Sequence, residues 1–228
     1  MNPYFASILQ GSVLTIGVSL SALLVAMVLG LLGALAKLST HRLARGVATA
    51  YTTLVRGVPE LVLMLLLFYG GTIGVNRLFE WSGSDLTVDI NPFAAGVFTL
   101  GFIYGAFMTE TFRGAMLCIP KGQAEAARAY GMRPGQIVWR ITLPQMLRHA
   151  LPGITNNWLV LIKATALVSL IGLHEMTYLA KQASSATRSP FMFLIFTAML
   201  FLIYTSASLG LLNMLHRRYS LGVRRAGT

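Results

Sequence analysis

The chain has 228 residues, 55% of them hydrophobic and only 11% charged, with a formal net charge of +11. Soluble domains carry about 25% charged residues, so this composition excludes an ordinary soluble enzyme and points to a membrane protein. The basic residues sit in short segments between apolar runs, not on one contiguous face, which argues against nucleic acid as a partner.

A helix needs about 20 mostly apolar residues to cross the hydrocarbon core, and five runs of that kind are present. Met1–Gln10 reads as a short lead-in lying at the interface. The first span is expected at about 12–36; residues 1–36 carry no charge, and the apolar run is too long for a signal peptide. Lys37–Arg56 reads as a loop with Lys37, Arg42, Arg45 and Arg56 and no acid. A second span follows at about 58–76, then a loop in which Glu80, Asp85 and Asp89 face a single Arg77, with Trp81 suited to the lipid–water boundary. The third span is expected at about 92–110, the long basic segment at Arg113–His149, and the fourth span, containing Lys163, at about 151–173. Residues 175–189 read as a loop, 190–216 as the fifth span, and Arg217, Arg218, Arg224 and Arg225 belong to the tail.

In lipid every backbone N–H and C=O needs an internal partner, so spans are helices or closed barrels. These runs lack period-two alternation. The expectation is therefore a single all-α, polytopic transmembrane domain over 1–228 with about five spans. Gly70-x-x-x-Gly74 and Gly101-x-x-x-Gly105 place small residues one turn apart, as close helix contacts require. Loops one and three and the tail hold four, six and four Lys/Arg, whereas loops two and four hold one and two. The positive-inside rule then puts the long loop and the C-terminus in the cytoplasm and the N-terminus outside.

No catalytic or metal chemistry is legible. Cys118 is the only cysteine, which excludes an intrachain disulfide, and it reads as a buried thiol. His41, His149, His174 and His216 lack metal-ligand spacing. There is no G-x-x-x-x-G-K-[ST] phosphate loop.

The polar stretch 121–146 is different. Good helix formers fill Gln123–Tyr130, and Glu125 and Arg128 are i,i+3 neighbours able to pair. Gly131 stands where a left-handed C′ residue belongs. Pro134 suits the first turn of a second helix, which Leu143-Pro144 is expected to end. The product is a helix–glycine–helix elbow, with Ala126, Ala127, Tyr130, Ile137, Val138 and Ile141 available to a partner. Two uses stay open: an amphipathic hairpin on an anionic lipid surface, or a docking element for protein.

The spacing E-A-A-x3-G-x9-I-x-L-P fits without a gap: Glu125, Ala126, Ala127, Gly131, Ile141, Leu143, Pro144. It resembles the EAA loop of bacterial ABC importer permeases. Tyr51–Leu61 (YTTLVRGVPEL), Glu110-x-x-Arg113-Gly114-Ala115, Ile119–Ala127 (IPKGQAEAA), Asn156-Asn157-Trp158 and Lys163–Gly172 (KATALVSLIG) extend the likeness over nearly the whole chain. So does Arg217-Arg218-Tyr219-Ser220. The chain is thereby similar to the polar amino-acid class, above all to the Q-type permease subunits of histidine/lysine/arginine/ornithine importers.

The resemblance implies an inner-membrane subunit that pairs with a second, homologous permease. It implies two ATP-binding subunits, which hold ATP and Mg, and a periplasmic amino-acid-binding protein; no cofactor is expected on this chain. It assigns the docking role to Glu125, Ala126, Ala127, Arg128, Gly131, Arg133, Ile141, Leu143 and Pro144. A substrate path is expected along Glu60, Asn156, Lys163, Thr165 and Ser169. Glu60 is read either as the partner of Arg56 or as a carboxylate for a cationic substrate, and Lys163 either as half of an ion pair or as a cavity residue. Glu110 and Arg113 read as a local pair, and Ser and Thr hydroxyls in spans often bond their own backbone. The expected substrates are basic L-amino acids, with opines, glutamine or other polar amino acids as the alternative. The rival class is a gradient-driven secondary transporter, which has no use for such an elbow.

Overall fold

The computed structural model describes residues 3–82 and 91–219, with side chains to residue 214. Asp85, Asp89, Arg224 and Arg225 lie outside the described residues. The helices are α1 (Pro3–Leu38), α2 (Arg42–Gly57), α3 (Glu60–Trp81), α4 (Pro92–Leu117), α5 (Lys121–Ala129), α6 (Pro134–Ile137), α7 (Leu143–Ala164), α8 (Met176–Thr187) and α9 (Pro190–Tyr219). A π-turn (Val138–Thr142) joins α6 to α7, and a 3₁₀ segment (Thr165–Ile171) continues α7. Five runs are long and apolar enough to cross a membrane: Pro3–Leu38, Glu60–Trp81, Pro92–Leu117, Pro134–Ile171 and Pro190–Met214.

Several elements differ from their expected form. From Pro3 onward the lead-in is part of α1, whose 36 residues extend about 54 Å at 1.5 Å per residue, well beyond a hydrocarbon core of about 30 Å. Segments read as loops one and four are the helices α2 and α8. Each buries one face against neighbouring spans and leaves the rest exposed, so tertiary contact stabilises them. Leu143-Pro144 does not end the elbow's second helix. Leu143 N–H bonds Val138 O, an i→i−5 step, and this wider turn lets Pro144 follow without its missing N–H breaking the rod.

Small residues decide how the spans meet. Gly30 and Gly33 of α1 lie against Met108 and Thr109 of α4, and Gly101 and Gly105 of α4 lie against Val25 and Leu29 of α1. Ala22, Ala26 and Ala34 are buried along the same side of α1. The two backbones therefore cross closely, as glycine permits. Around this crossing a core forms from Leu100, Ile103, Met108 and Phe112 of α4 with Met146, Leu161 and Ile162 of α7. A second cluster joins Ile8, Met176, Ala180 and Phe193, so α1, α8 and α9 share one end. Gly70 and Gly74, by contrast, have open space before them, and Met64 is the one buried residue of α3.

The ends are set by local chemistry. Asn91 Oδ1 accepts from Phe93 N–H at 2.8 Å and Pro92 occupies the first turn of α4. Glu175 is the N-cap of α8 and accepts from Thr177 N–H (2.8 Å), Tyr178 N–H (2.9 Å) and Thr15 Oγ1–H (3.1 Å). It is 1% exposed. Burial pushes its carboxyl above the ordinary carboxylate range, while the amide and hydroxyl donors pull the other way. A carboxyl whose folded-state pKa is raised contributes stability below its unfolded value and loses it as pH rises through the folded value. Glu175→Gln should therefore flatten the fall in thermal stability between mildly acidic and neutral pH. Equal slopes for the two proteins in a thermal-shift series would overturn this reading.

Candidate functional site

The elbow is built as two helices around one left-handed glycine. Tyr130 closes α5, and Gly131 adopts φ +79°. Gly131 N–H bonds Arg128 O at 2.9 Å and Met132 N–H bonds Ala127 O at 3.0 Å. This pair of bonds is the Schellman arrangement, which satisfies the last carbonyls of α5. Arg133 then precedes Pro134, and Gln136 Oε1 accepts from Arg133 N–H at 3.0 Å, fixing the start of α6. A Gln145–Gln123 side-chain bond ties α7 back to α5.

The structure sorts the expected docking residues into two groups. Ala127 and Ile137 are buried, and Ile141 and Leu143 are half-buried, so these hold the elbow together instead of facing outward. Glu125, Ala126, Arg128, Gly131, Arg133 and Pro144 are exposed. No ion pair joins Glu125 to Arg128; both are left to water or to a partner. Tyr130 and Trp139 are 89% and 72% exposed, with Val138 beside them and Arg140 next in the chain. Trp139 was not anticipated. An aromatic in an arginine-rich polar stretch is the signal that would have found it, since Trp, Tyr and Arg anchor interfaces.

Cys118, expected as a buried thiol, is exposed. It follows the last turn of α4, where the chain leaves the core for the elbow.

The elbow's first root, the end of α4, is fastened to the bundle. Glu110 of α4 accepts from Lys37 of α1 and from Arg113 (2.9 Å), and Lys37 also donates to Thr52 of α2 at 2.7 Å. The local Glu110–Arg113 pair is thus one half of a network joining three helices. Lys37 was missed because its partner lies 73 residues away.

At membrane depth the expected path residues separate again. Glu60 does not pair with Arg56. It accepts from Tyr104 Oη–H at 3.1 and 3.2 Å, while the Arg56 guanidinium lies 5.4 Å from the Phe107 ring centre. Thr165 and Ser169 donate to their own helix at Ile162 O (2.7 Å) and Ala166 O (2.8 Å), the backbone-bonded form weighed above. Ser169 also lines a recess of about 310 Å³ with Tyr178, Lys181, Gln182 and Ser185. Asn156 and Lys163, seven residues apart, share an exposed stripe of α7. Lys163 makes no ion pair among the described residues. An ammonium facing lipid there costs roughly 2.5–3.5 kcal/mol, so this stripe is suited to water or to another chain. The neighbouring Asn157 is buried and donates to Thr111 Oγ1 at 3.0 Å, a structural tie between α4 and α7.

Five membrane-length helices, with an exposed basic elbow emerging between the third and fourth, define the transmembrane subunit of a transport system. The model of the family "binding-protein-dependent transport system inner membrane component" matches residues 26–220, and the chain belongs to that family. It is 51% identical over 219 residues to the histidine/lysine/arginine/ornithine transport system permease protein HisQ of Salmonella typhimurium, covering 96% of each chain. It is 36% identical over 217 residues to the octopine transport system permease protein OccQ of Rhizobium radiobacter, covering 95% of this chain and 92% of that one. A crystal structure of an amino acid ABC transporter with histidines superposes with a TM-score of 0.78 at 29% identity, over 95% of both chains.

Proposed function

We propose that this chain is one half of the membrane path of an ATP-driven importer for basic L-amino acids. The observation that carries the coupling role is the elbow: a rigid Schellman turn presenting Tyr130, Trp139 and unpaired arginines at the root of two spans. Two ATP-binding subunits receive Ala126, Arg128, Arg133 and their neighbours in surface clefts, and Ala127, Ile137, Ile141 and Leu143 keep the elbow stiff. Their closure on ATP displaces the elbow and, through it, α4 and α7. A second, homologous permease covers the exposed stripe of α7, and a periplasmic amino-acid-binding protein delivers substrate. The excess of basic residues in the first and third loops supports a cytoplasmic elbow and C-terminus and a periplasmic N-terminus. ATP and Mg are held by the partners; the chain itself performs no chemistry.

The charges along the path favour amphoteric, cationic substrates. Glu60 offers a carboxylate to a side-chain cation, and Lys163 offers an ammonium to the substrate carboxylate. The similarity to a histidine/lysine/arginine/ornithine permease supports the same class, and the similarity to an octopine permease marks opines as the second reading.

The decisive experiment reconstitutes the chain with its neighbouring subunits in vesicles and follows labelled arginine, histidine and glutamine. ATP-dependent uptake of arginine over glutamine is expected. Uptake that follows an ion gradient without ATP would replace this reading with a secondary carrier. Glu60→Gln should lower arginine uptake about tenfold or more, given that a charge-assisted hydrogen bond contributes about 1.5–3 kcal/mol. Unchanged rate and affinity in that variant would remove Glu60 from the path.

A further inference from the structure

Helix α2 shows three faces, only one of which packs against the bundle. Ala48, Tyr51, Thr52 and Val55 are turned toward α1 and α4; Tyr51 Oη–H donates to Phe102 O at 2.5 Å. At 100° per residue, Leu43, Val47 and Leu54 fall together on a second face, and they are 81%, 62% and 67% exposed. Arg42, Arg45, Thr49, Thr53 and Arg56 fall on a third, also exposed. The helix contains no acid. Between the second and third faces runs a shallow, wide-open groove on the helix surface, lined by Arg42, Arg45, Thr49, Thr53 and Leu54. Gly46 forms part of its wall, with no other atom within 4 Å of the place a Cβ would take. Among the described residues neither the Arg42 nor the Arg45 guanidinium makes an ion pair, and Glu110 is already matched by Lys37 and Arg113.

We infer that this groove is a binding site for an anionic phospholipid of the cytoplasmic leaflet. The phosphate is held by Arg42 and Arg45 with the Thr49 and Thr53 hydroxyls, and the acyl chains run along Leu43, Val47 and Leu54. The charge and the apolar face together select a lipid over free phosphate, because only a lipid satisfies both faces at once. Connectivity places the helix at the membrane boundary: α2 begins four residues after α1 ends and lies against the flanks of two spans. The leaflet assignment rests on the cytoplasmic orientation proposed above. A lipid clamped here would brace the Lys37–Glu110–Thr52 network from outside, since Thr52 is on the same helix.

The test uses the assembled transporter in detergent, titrated with phosphatidylglycerol or phosphatidylcholine and read by native mass spectrometry. The wild type is expected to prefer phosphatidylglycerol. Arg42→Gln/Arg45→Gln should weaken that binding roughly thirty-fold, at about 1 kcal/mol per basic residue. Phosphatidylcholine binding should not change, nor should excess inorganic phosphate displace the lipid. Arg77→Gln, at the end of α3, should behave as wild type. Unchanged affinity in the double variant, or an equal loss in Arg77→Gln, overturns the site. Efficient disulfide formation from Val47→Cys to a cysteine on the second permease also overturns it, since protein would then cover the face. Orientation is read separately, by labelling Thr49→Cys in a Cys118→Ser background. Labelling from the periplasmic side refutes the leaflet while the titration still judges the groove.

Discussion

Gly131→Val is expected to abolish ATP-coupled uptake while leaving the five spans folded. Gly131 sits at φ +79°, where an L residue pays about 1–2 kcal/mol and a β-branched one more. Nothing lies within 4 Å of the position its Cβ would take, so the penalty is one of backbone conformation and not of crowding. The chain escapes by leaving the left-handed region, which breaks the bonds from Gly131 N–H to Arg128 O and from Met132 N–H to Ala127 O. The angle between α5 and α6 is then lost, and Tyr130 and Trp139 no longer present one surface. Gly131→Asn keeps the left-handed backbone at small cost and should retain most of the activity. The measurement is paired: co-purification of the ATP-binding subunit, and uptake in proteoliposomes. Normal coupling in the valine variant would refute the elbow as the transmission element.

Gly101→Leu should be at least as damaging, by a different route. A Cβ at residue 101 comes within 2.6 Å of Val25 Cβ and 3.3 Å of Ala22 O, so α1 and α4 must separate along their whole crossing. Overpacking typically costs 1–3 kcal/mol, and this site meets backbone as well as side chain. Separation would also pull Lys37 from Glu110, because both stand on the same two helices. Loss of the mature protein from membranes is expected. Gly70→Leu makes the informative contrast, because the space before Gly70 is open. That variant should accumulate normally, and any transport defect it shows would report contact with another chain. Equal expression of the 101 and 70 leucine variants would disprove the close crossing.

Much of this was readable from residues alone, for physical reasons that also mark the limit. Apolar length is a property of the chain, so the five membrane-length runs stood out; their bounds shifted wherever a helix outlasted the hydrocarbon core, as α1 and α4 do. Turn chemistry is equally local: Gly131 at C′ and Pro134 in a first turn follow from backbone rules. Helices α2 and α8 read as loops in the sequence because they are short and carry charged and polar residues among the apolar ones, and what stabilises them is contact with distant spans. The same holds for partners. Arg56 is the near neighbour of Glu60 in sequence, yet Tyr104 is its neighbour in space. Ala127 and Ile137 looked outward-facing by composition, but a small elbow needs an interior of its own and takes those two. The π-turn before Pro144 had no visible signature, since proline ordinarily signals a stop.

That turn has a mechanical meaning. From Pro134 to Ile171 the chain is one unbroken rod, about 57 Å if straight at 1.5 Å per residue. One end carries Trp139, and the other adjoins the segment leading to Glu175. No loop interrupts the rod, although Pro152 stands inside α7, so a displacement at one tip is carried toward the other. The widened coil at Val138–Thr142 and the tightened one at Thr165–Ile171 are the two places where such a crankshaft would yield first. Inserting or deleting a single residue between them would rotate one tip against the other by about 100°. The spacing between these irregular turns thus sets the rotational register of the rod's two tips, fixed by length as much as by sequence.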